Sequence, residues 1–170
     1  MATRVKHPYL KHIQRAIELR DAPTAGSALY DEDFYEWTLS QAAELRARRD
    51  TDEVLDWDNL AEEIESLGNR DRREVESRPA RIIQHVLKCQ HQPERRTRSW
   101  DATLRVQRRD LLKMLRDSPS LRRKLEAAHA DIWEDGRLEA VKETDLPIET
   151  FPAEPTFGID ELLDDGFDGA

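Results

Sequence analysis

Two glutamates and a histidine have the residue types that metal or acid–base chemistry requires. Glu62 and Glu65 are three residues apart in helix-forming sequence, so their carboxylates share a helix face about 5–6 Å apart. With His85 they could bind a divalent metal, as facing helices do in helical-bundle metal proteins. The metal is not favoured, because those proteins carry Glu-x-x-His on two helices and this chain has one match, Glu126 to His129. In the competing interpretation, both glutamates pair with cations across the bundle.

A second group of candidate residues is basic. Six arginines flank Trp100, namely Arg95, Arg96, Arg98, Arg105, Arg108 and Arg109. Arginines beside an aromatic platform are typical of contacts to nucleic-acid phosphates. The sequence pI of about 5.1 argues against nucleic acid, and so does the lack of a helix-turn-helix or other recognition pattern. The alternative is a helix face that is solvated or paired with acidic helices.

Nucleophilic catalysis has little support in the sequence. Cys89 and His91 are two residues apart on a predicted helix, so their side chains point about 200° apart. A buried, inert cysteine is therefore expected, and one cysteine excludes an intramolecular disulfide. No glycine-rich phosphate loop, nucleophile elbow or zinc-finger spacing occurs. The sequence predicts no catalytic residue, and it favours a non-enzymatic protein.

Composition indicates a helical protein with an uneven charge distribution. Charged residues make up 37% of the chain, and only six glycines interrupt its Ala-, Leu-, Glu- and Arg-rich runs. From Lys88 to Lys124 there are twelve Lys/Arg and four Asp/Glu, a balance of +8. The net charge of the whole chain is −9, so the remaining residues carry −17. No stretch reaches the ~18 apolar residues that span a bilayer. We expect a cytoplasmic protein without membrane contact.

Helical periodicity and capping residues predict the elements that must position these side chains. The predicted helices are His7–Arg20, one from Asp31 to the cations at 46–49, Asp56 to about His91, Ser99–Arg116, one capped by Ser118 that runs to Glu143, and Ile159–Asp164. Pro79 lies within the third of these and predicts a kink or a break. Residues 1–28 are interpreted as a weakly organised arm.

Apolar and proline residues define the expected core and its cover. Prolines separate aromatic residues between Leu146 and Phe157, which predicts an extended strap that anchors those rings on the bundle. Four tryptophans fall on predicted apolar stripes. We expect Trp37, Trp57 and Trp100 to lie in the core or to line a groove, since each can bury ~200 Å².

Four motifs together are similar to a known bacterial family. They are Tyr30-Asp31-x-Asp33-Phe34-Tyr35-x-Trp37, Trp57-x-Asn59-Leu60-Ala61-Glu62-Glu63-Ile64-Glu65-Ser66-Leu67-Gly68, Gln92-Pro93-Glu94-Arg95-Arg96-x-Arg98-Ser99-Trp100 and Asp117-Ser118-Pro119-Ser120-Leu121. The chain resembles domain-of-unknown-function family twenty-nine from about Leu29 to Phe167. The resemblance implies a compact all-helical bundle and a bacterial source, and it implies no activity. The family generally lacks an arm like residues 1–28, and it often has an aromatic residue at the position of Cys89.

The predicted fold is an all-α bundle of four principal helices with a proline-pinned C-terminal strap and a short last helix. One domain is expected at residues 29–167, preceded by the arm at 1–28. The leading functional hypothesis is a non-enzymatic interaction or regulatory module, antitoxin-like, whose acidic regions at 62–63 and 160–165 attract a basic protein partner. The alternatives are a metal-binding protein or enzyme built on Glu62, Glu65 and His85, and a nucleic-acid-binding protein that uses the arginines of 95–109.

Overall fold

The protein is an all-α bundle in the computed structural model, which describes residues 25–48 and 55–168. The described helices are α1 (Ala25–Glu32), α2 (Phe34–Arg48), α3 (Trp57–His91), α4 (Arg98–Asp117), α5 (Leu121–Ala127), α6 (His129–Thr144) and α7 (Ile159–Leu163). Short 3-10 turns lie at Pro93–Arg95 and Ile148–Thr150. The four longest helices are α2, α3, α4 and α6, as predicted. The predicted helix His7–Arg20 lies outside the described residues.

Helix α3 is the central element of the bundle. It has 35 residues, and its predicted N-cap is confirmed, because the Asp56 carboxylate accepts a hydrogen bond from the amide of Asn59. Its N-terminal half packs on α2, where Gly68 meets Thr38. Its C-terminal half packs on α4 and α6. The buried side chains Ile82, Ile83, Val86 and Leu87 of that half form much of the core.

Of the kink or break expected at Pro79, the break does not occur. Helix α3 runs without interruption from Trp57 to His91 although Pro79 cannot donate a backbone hydrogen bond. Tertiary packing offsets this loss, since Pro79 is buried where α6 crosses α3. A Cβ at Gly136 of α6 would lie 2.7 Å from Ile83 Cβ and 2.8 Å from the Ala80 carbonyl oxygen. Glycine is required there because the two helix backbones approach so closely.

The N-terminal motif contains two helices, where the sequence predicted one beginning at Asp31. Asp31 lies inside α1, and the helix is interrupted at Asp33. The Asp33 carboxylate accepts a hydrogen bond from the amide of Glu36 at 3.0 Å and so caps α2. The same carboxylate accepts from the amide and the hydroxyl of Ser120, at 2.7 and 3.0 Å. In return, the Ser118 hydroxyl accepts from the amide of Tyr35 at 3.1 Å. Two motifs distant in sequence thus cap each other.

The predicted fourth helix is also divided. It ends at Ala127 and resumes at His129, so α5 and α6 form two elements separated by Ala128. The predicted N-cap at Ser118 is corrected, because α5 begins at Leu121 and the Ser118 hydroxyl is bonded to α2 instead. A hydrogen-bond partner 83 residues away gives no local signal in the sequence.

The C-terminal strap covers the bundle as predicted. Phe151 and Phe157 are buried, and the ring of Phe157 meets that of Trp133 edge-on at 5.0 Å. The Trp133 indole N–H donates to the carbonyl of Pro152 at 3.0 Å. The Arg137 guanidinium donates to the carbonyl of Phe151 at 3.3 Å, so a cation of α6 also holds the strap. Helix α7 follows at Ile159, where it was expected.

Candidate binding groove

The predicted metal-site residues do not converge. Glu65 and His85 lie on the same uninterrupted helix, 20 residues apart, which separates them by ~30 Å along its axis. Glu62 is exposed, and Glu65 pairs with Arg46 at 2.5 Å. Within the described ranges 25–48 and 55–168, no three His, Cys, Asp or Glu side chains are grouped closely enough to hold a metal ion. The continuity of α3 through Pro79 keeps the two glutamates away from the histidine.

His85 is a core residue of α3. Its Nδ1 lies 2.9 Å from the carbonyl oxygen of Arg81, so in the neutral ring Nδ1–H donates to that carbonyl. Burial lowers the pKa of His85, the hydrogen bond to Arg81 opposes this shift, and the nearby Lys88 cation adds to it. The fold therefore favours the neutral imidazole.

An ion pair between a buried lysine and a partly exposed glutamate joins α3 to α6 beside this histidine. Lys88 is 4% exposed, its Nζ donates to the carboxylate of Glu143, and it lies 4.1 Å from the centroid of the Trp100 ring. The hydrogen bond from Lys88 lowers the pKa of Glu143, although partial burial opposes the shift. The sequence analysis expected cations across the bundle to pair with Glu62 and Glu65, and Lys88 does not. Its true partner lies 55 residues further along the chain.

Two glutamine side chains extend this contact along the same face of α3. The Gln84 amide donates to the carbonyl of Glu139 at 3.4 Å, and the Gln92 amide donates to that of Thr144 at 3.2 Å. We call the α3 residues Gln84, Lys88 and Gln92 the polar seam. Each of them has a hydrogen-bond partner on α6, so the seam fixes how the two helices pack.

The arginines of the predicted basic segment differ in burial, and Arg108 lies in the interior. Arg108 is 2% exposed, and its guanidinium donates to the carbonyls of Leu162 at 2.9 Å, Asp165 at 3.5 Å and Phe167. Burial lowers its pKa, an effect opposed chiefly by the charge of Asp165, but a guanidinium stays charged in a protein. Arg108 was predicted to belong to a phosphate-contacting patch. It instead holds the C-terminal segment against α4.

Arg96 is also occupied by carboxylates of its own chain. It donates to Asp101 at 2.8 Å and to Asp168 at 2.7 Å, and these hydrogen bonds raise its pKa. Arg95 and Arg98 are exposed near the start of α4 and do not line its groove. The six predicted arginines therefore do not form a single surface.

The remaining cations of α4 line an open groove of about 680 Å³. Its lining residues, which we call the α4 groove, are Arg105, Arg108, Arg109, Asp110, Leu112, Lys113, Arg116 and Asp165. Five are cationic and two are acidic. Within the described part of the chain, Arg105 and Lys113 form no ion pair. The Arg109 and Arg116 side chains are 72% and 75% exposed, each beside the aspartate that follows it.

The groove also contains an apolar residue. Leu112 is 47% exposed between the cations of α4, in a helix with a polar outer face. The sequence analysis missed Leu112, Lys113 and Arg116 because it grouped the arginines by their proximity to Trp100. Spacing would have identified them, since positions 105, 109, 113 and 116 follow one another at helical intervals.

An open cavity of about 550 Å³ lies beside Cys89 and His91, where a Cys–His nucleophile was considered and not favoured. Burial raises the pKa of the Cys89 thiol, which disfavours the reactive thiolate. The ring of His91 meets Phe151 edge-on at 5.0 Å. Cys89 thus has the character of the inert, buried cysteine that the sequence indicates.

The four tryptophans differ from one another in their degree of burial. Trp37, Trp57 and Trp100 are only partly buried, whereas Trp133 is fully buried. Trp37 belongs to a surface cluster with Tyr30, whose ring centroid is 4.8 Å away, and Trp100 packs against the core beneath Lys88.

Comparison with known proteins agrees with this architecture. Residues 29–168 match the family described as "Domain of unknown function DUF29", and the chain belongs to this family. The fold is similar to the crystal structure of an alpha-helical protein of unknown function from Rhodospirillum rubrum, with a TM-score of 0.69 and 28% identity. That similarity covers 82% of this chain and 92% of the other. A search among curated proteins gives no match.

The comparisons support the predicted family and the helical fold class, and they attach no activity to either. Among the described helices, none combines the length and the apolar character that a membrane crossing requires.

Proposed function

We propose that this chain is a non-enzymatic interaction module of the bacterial cytoplasm, and that its α4 groove binds an acidic segment of a partner protein. The observation that carries the proposal is the row of exposed cations around Leu112 on a chain of net charge −9. Cations held on a rigid helix provide electrostatic complementarity without a large ordering cost, and the adjacent apolar side chain adds contact area.

The pKa shifts beside the polar seam have structural causes. Structural ion pairs shift pKa values as catalytic sites do. The shifts of His85 and Glu143 follow from burial and from the hydrogen bond with Lys88. In the groove, Arg105 and Lys113 are exposed and form no ion pair within the described part of the chain, so both can meet an external anion.

The proposed partner has the opposite charge to the one expected from the sequence. The acidic regions at 62–63 and 160–165 were expected to attract a basic partner, and Glu62 and Glu63 are exposed. In the folded chain Asp160 pairs with Arg122 at 2.5 Å, and the charges of Asp164 and Asp165 act on the buried Arg108. These carboxylates are already engaged with cations of the same chain. An acidic partner for the α4 groove is therefore the better-supported hypothesis.

A regulatory role of the antitoxin-like kind follows if the partner is active when free. Occupation of the groove would then sequester an acidic segment that the partner needs for its own activity. Steering by the basic face would favour rapid association at low ionic strength, and the association would weaken as salt is added.

Capture from the source cells tests the proposal. The tagged chain is compared with Arg105→Glu/Lys113→Glu after nuclease treatment, and the retained proteins are identified by mass spectrometry. The matched control is Arg123→Glu/Lys124→Glu, which makes the same charge change at exposed positions of α5 outside the groove. We expect one dominant acidic partner for the original chain and the control, and its loss from the groove variant. Equal capture by all three proteins would overturn the proposal.

A further inference from the structure

We propose that the segment bound by the α4 groove is an acidic amphipathic helix. This inference rests on the proposed function and specifies the chemistry of the partner. It depends on the spacing of the cations along α4, on the position of Leu112 among them and on the two carboxylates that the groove itself contains.

The first step is the spacing of the cations. Arg105, Arg109, Lys113 and Arg116 lie four, four and three residues apart, and together they span ~16 Å of the axis of α4. A partner helix with a carboxylate every three or four residues presents negative charges at the same intervals of about 5–6 Å. An extended strand repeats its side chains on one face every ~6.7 Å, so it loses register by several ångströms over the same length.

The second step is the apolar contact. Leu112 is 47% exposed, and helical geometry places it next to Arg105, at the edge of the row that faces Arg108. A chain of carboxylates alone would leave this side chain in water or against polar atoms. An amphipathic helix places an apolar residue over Leu112 and its acidic residues beside the flanking cations, in the manner of an antiparallel helix pair.

The third step concerns the acidic residues of the groove. Asp110 and Asp165 line it together with the cations. A nucleic-acid backbone carries a phosphate at every residue and would bring negative charges against these carboxylates. A protein helix can place an apolar or basic residue at those points. The groove therefore fits a protein helix better than a nucleic acid.

The molecule contains an example of a short acidic helix held by α4. Helix α7 has Asp160 and Glu161 in its first turn and packs against α4, and the carbonyl of Leu162 near its end accepts from Arg108. Asp165, which follows α7, forms part of the groove wall. The proposed partner helix would lie along the outer side of α4, next to this internal one.

Site-specific photo-cross-linking tests the inference in the full-length chain. Leu112 is replaced by benzoylphenylalanine in the source cells, and Leu138, which is 41% exposed on α6 outside the groove, carries the probe in the control. We expect a cross-link at Leu112, absent at Leu138, to a segment with Asp or Glu every three or four residues beside an apolar stripe. A synthetic peptide of that segment should bind the purified chain, and binding should be lost when its carboxylates are replaced by amides or its centre by proline.

The remaining outcomes separate the two proposals. Binding that survives the central proline would overturn the helix and leave the groove as a site for an acidic segment. A Leu112 cross-link to a basic segment would overturn both proposals. A nuclease-sensitive product would overturn both proposals, because the ligand would be a nucleic acid. Cross-linking at Leu112 no stronger than at Leu138 would contradict the groove itself.

Discussion

Arg108 and Arg109 are neighbours on α4, but their environments are opposite. The Arg108 side chain is buried and donates to three backbone carbonyls of the C-terminal segment, whereas the Arg109 side chain is 72% exposed beside Asp110. One residue turns a helix by about 100°, which is enough to move a guanidinium from the interior to the surface. The comparison shows that residue type does not decide whether a cation serves the fold or a partner. The element packed against each side of α4 decides it.

The same contrast holds for two lysines. Lys88 is enclosed by Glu143 and the ring of Trp100, and Lys113 stands in the α4 groove without an ion pair in the described part of the chain. Buried cations must keep their partners because an unpaired charge in the interior is costly, while exposed cations can exchange water for a ligand. Substitutions at these four positions should therefore separate into two groups.

The largest effect is expected at Arg108. Its replacement by Leu leaves buried carbonyls of the C-terminal segment without donors, and each unsatisfied group costs about 1–3 kcal/mol. We predict that the free energy of unfolding of Arg108→Leu falls by about 3 kcal/mol or more in urea titrations. Arg109→Leu is the matched control and should change it by less than ~0.5 kcal/mol. Equal effects of the two substitutions would refute the distinction.

A smaller loss of stability is expected when Lys88 is replaced. The substitution Lys88→Met keeps an unbranched chain in place and removes the ion pair with Glu143 and the cation–π contact with Trp100. Glu143 is partly exposed and can be rehydrated, so we predict a fall of about 2 kcal/mol in the free energy of unfolding. Lys113→Met should leave that quantity unchanged within measurement error. Thermal unfolding of both variants measures the difference, and a Lys88 variant as stable as the original chain would show that the seam contributes nothing.

His85, beside the polar seam, should also make the stability of the fold depend on pH. Burial lowers the pKa of His85 in the folded chain, so between the unfolded value of about 6.5 and the lower folded value the unfolded state binds more protons. The free energy of unfolding should therefore fall as the pH falls below about 6.5. His85→Gln should reduce this slope, and part of it should remain because burial lowers the pKa of His129 as well. Urea titrations across the pH range would disagree with the assignment if the His85 variant kept the full slope.

The pKa of Glu143 is lowered mainly by the hydrogen bond from Lys88. Glu143 should therefore affect stability at a lower pH than His85 does. Its contribution is present above the unfolded pKa of about 4.3 and is lost as the pH falls through the folded value. Lys88→Met should remove this second, acidic component and leave the part of the His85 component that burial causes. A variant that lost both components would indicate that the two groups titrate as one unit.

Local features of this fold were predictable, and contacts between distant segments were not. Asp56 defines the start of α3, and the apolar spacing that follows it defines the buried face of this helix. Neither signal depends on the rest of the chain. The break at Asp33 depends on Ser120, and the role of Ser118 depends on Tyr35. No pattern within one helix reports such partners. The continuity at Pro79 likewise depends on the close approach of Gly136.

The candidate site shows the same division. The basic character of α4 is evident in the sequence, and helical spacing alone orders Arg105, Arg109 and Lys113 into a row. Which of the neighbouring cations remain available depends on the C-terminal segment, whose carbonyls reach Arg108 from 54 to 59 residues away. The sequence analysis grouped Glu62, Glu65 and His85 by residue type, as possible metal ligands on the same helix or on packed helices. The unbroken helix keeps them apart.

The most direct test of the account compares stability and binding in one variant, Arg105→Glu/Lys113→Glu. The account predicts that its free energy of unfolding changes by less than ~0.5 kcal/mol, because both side chains are exposed and neither forms an ion pair in the described part of the chain. Capture of the acidic partner should be lost. A fully stable variant that still captures the partner as well as the Arg123→Glu/Lys124→Glu control would contradict the account. The exposed cations of α4 would then have no part in binding.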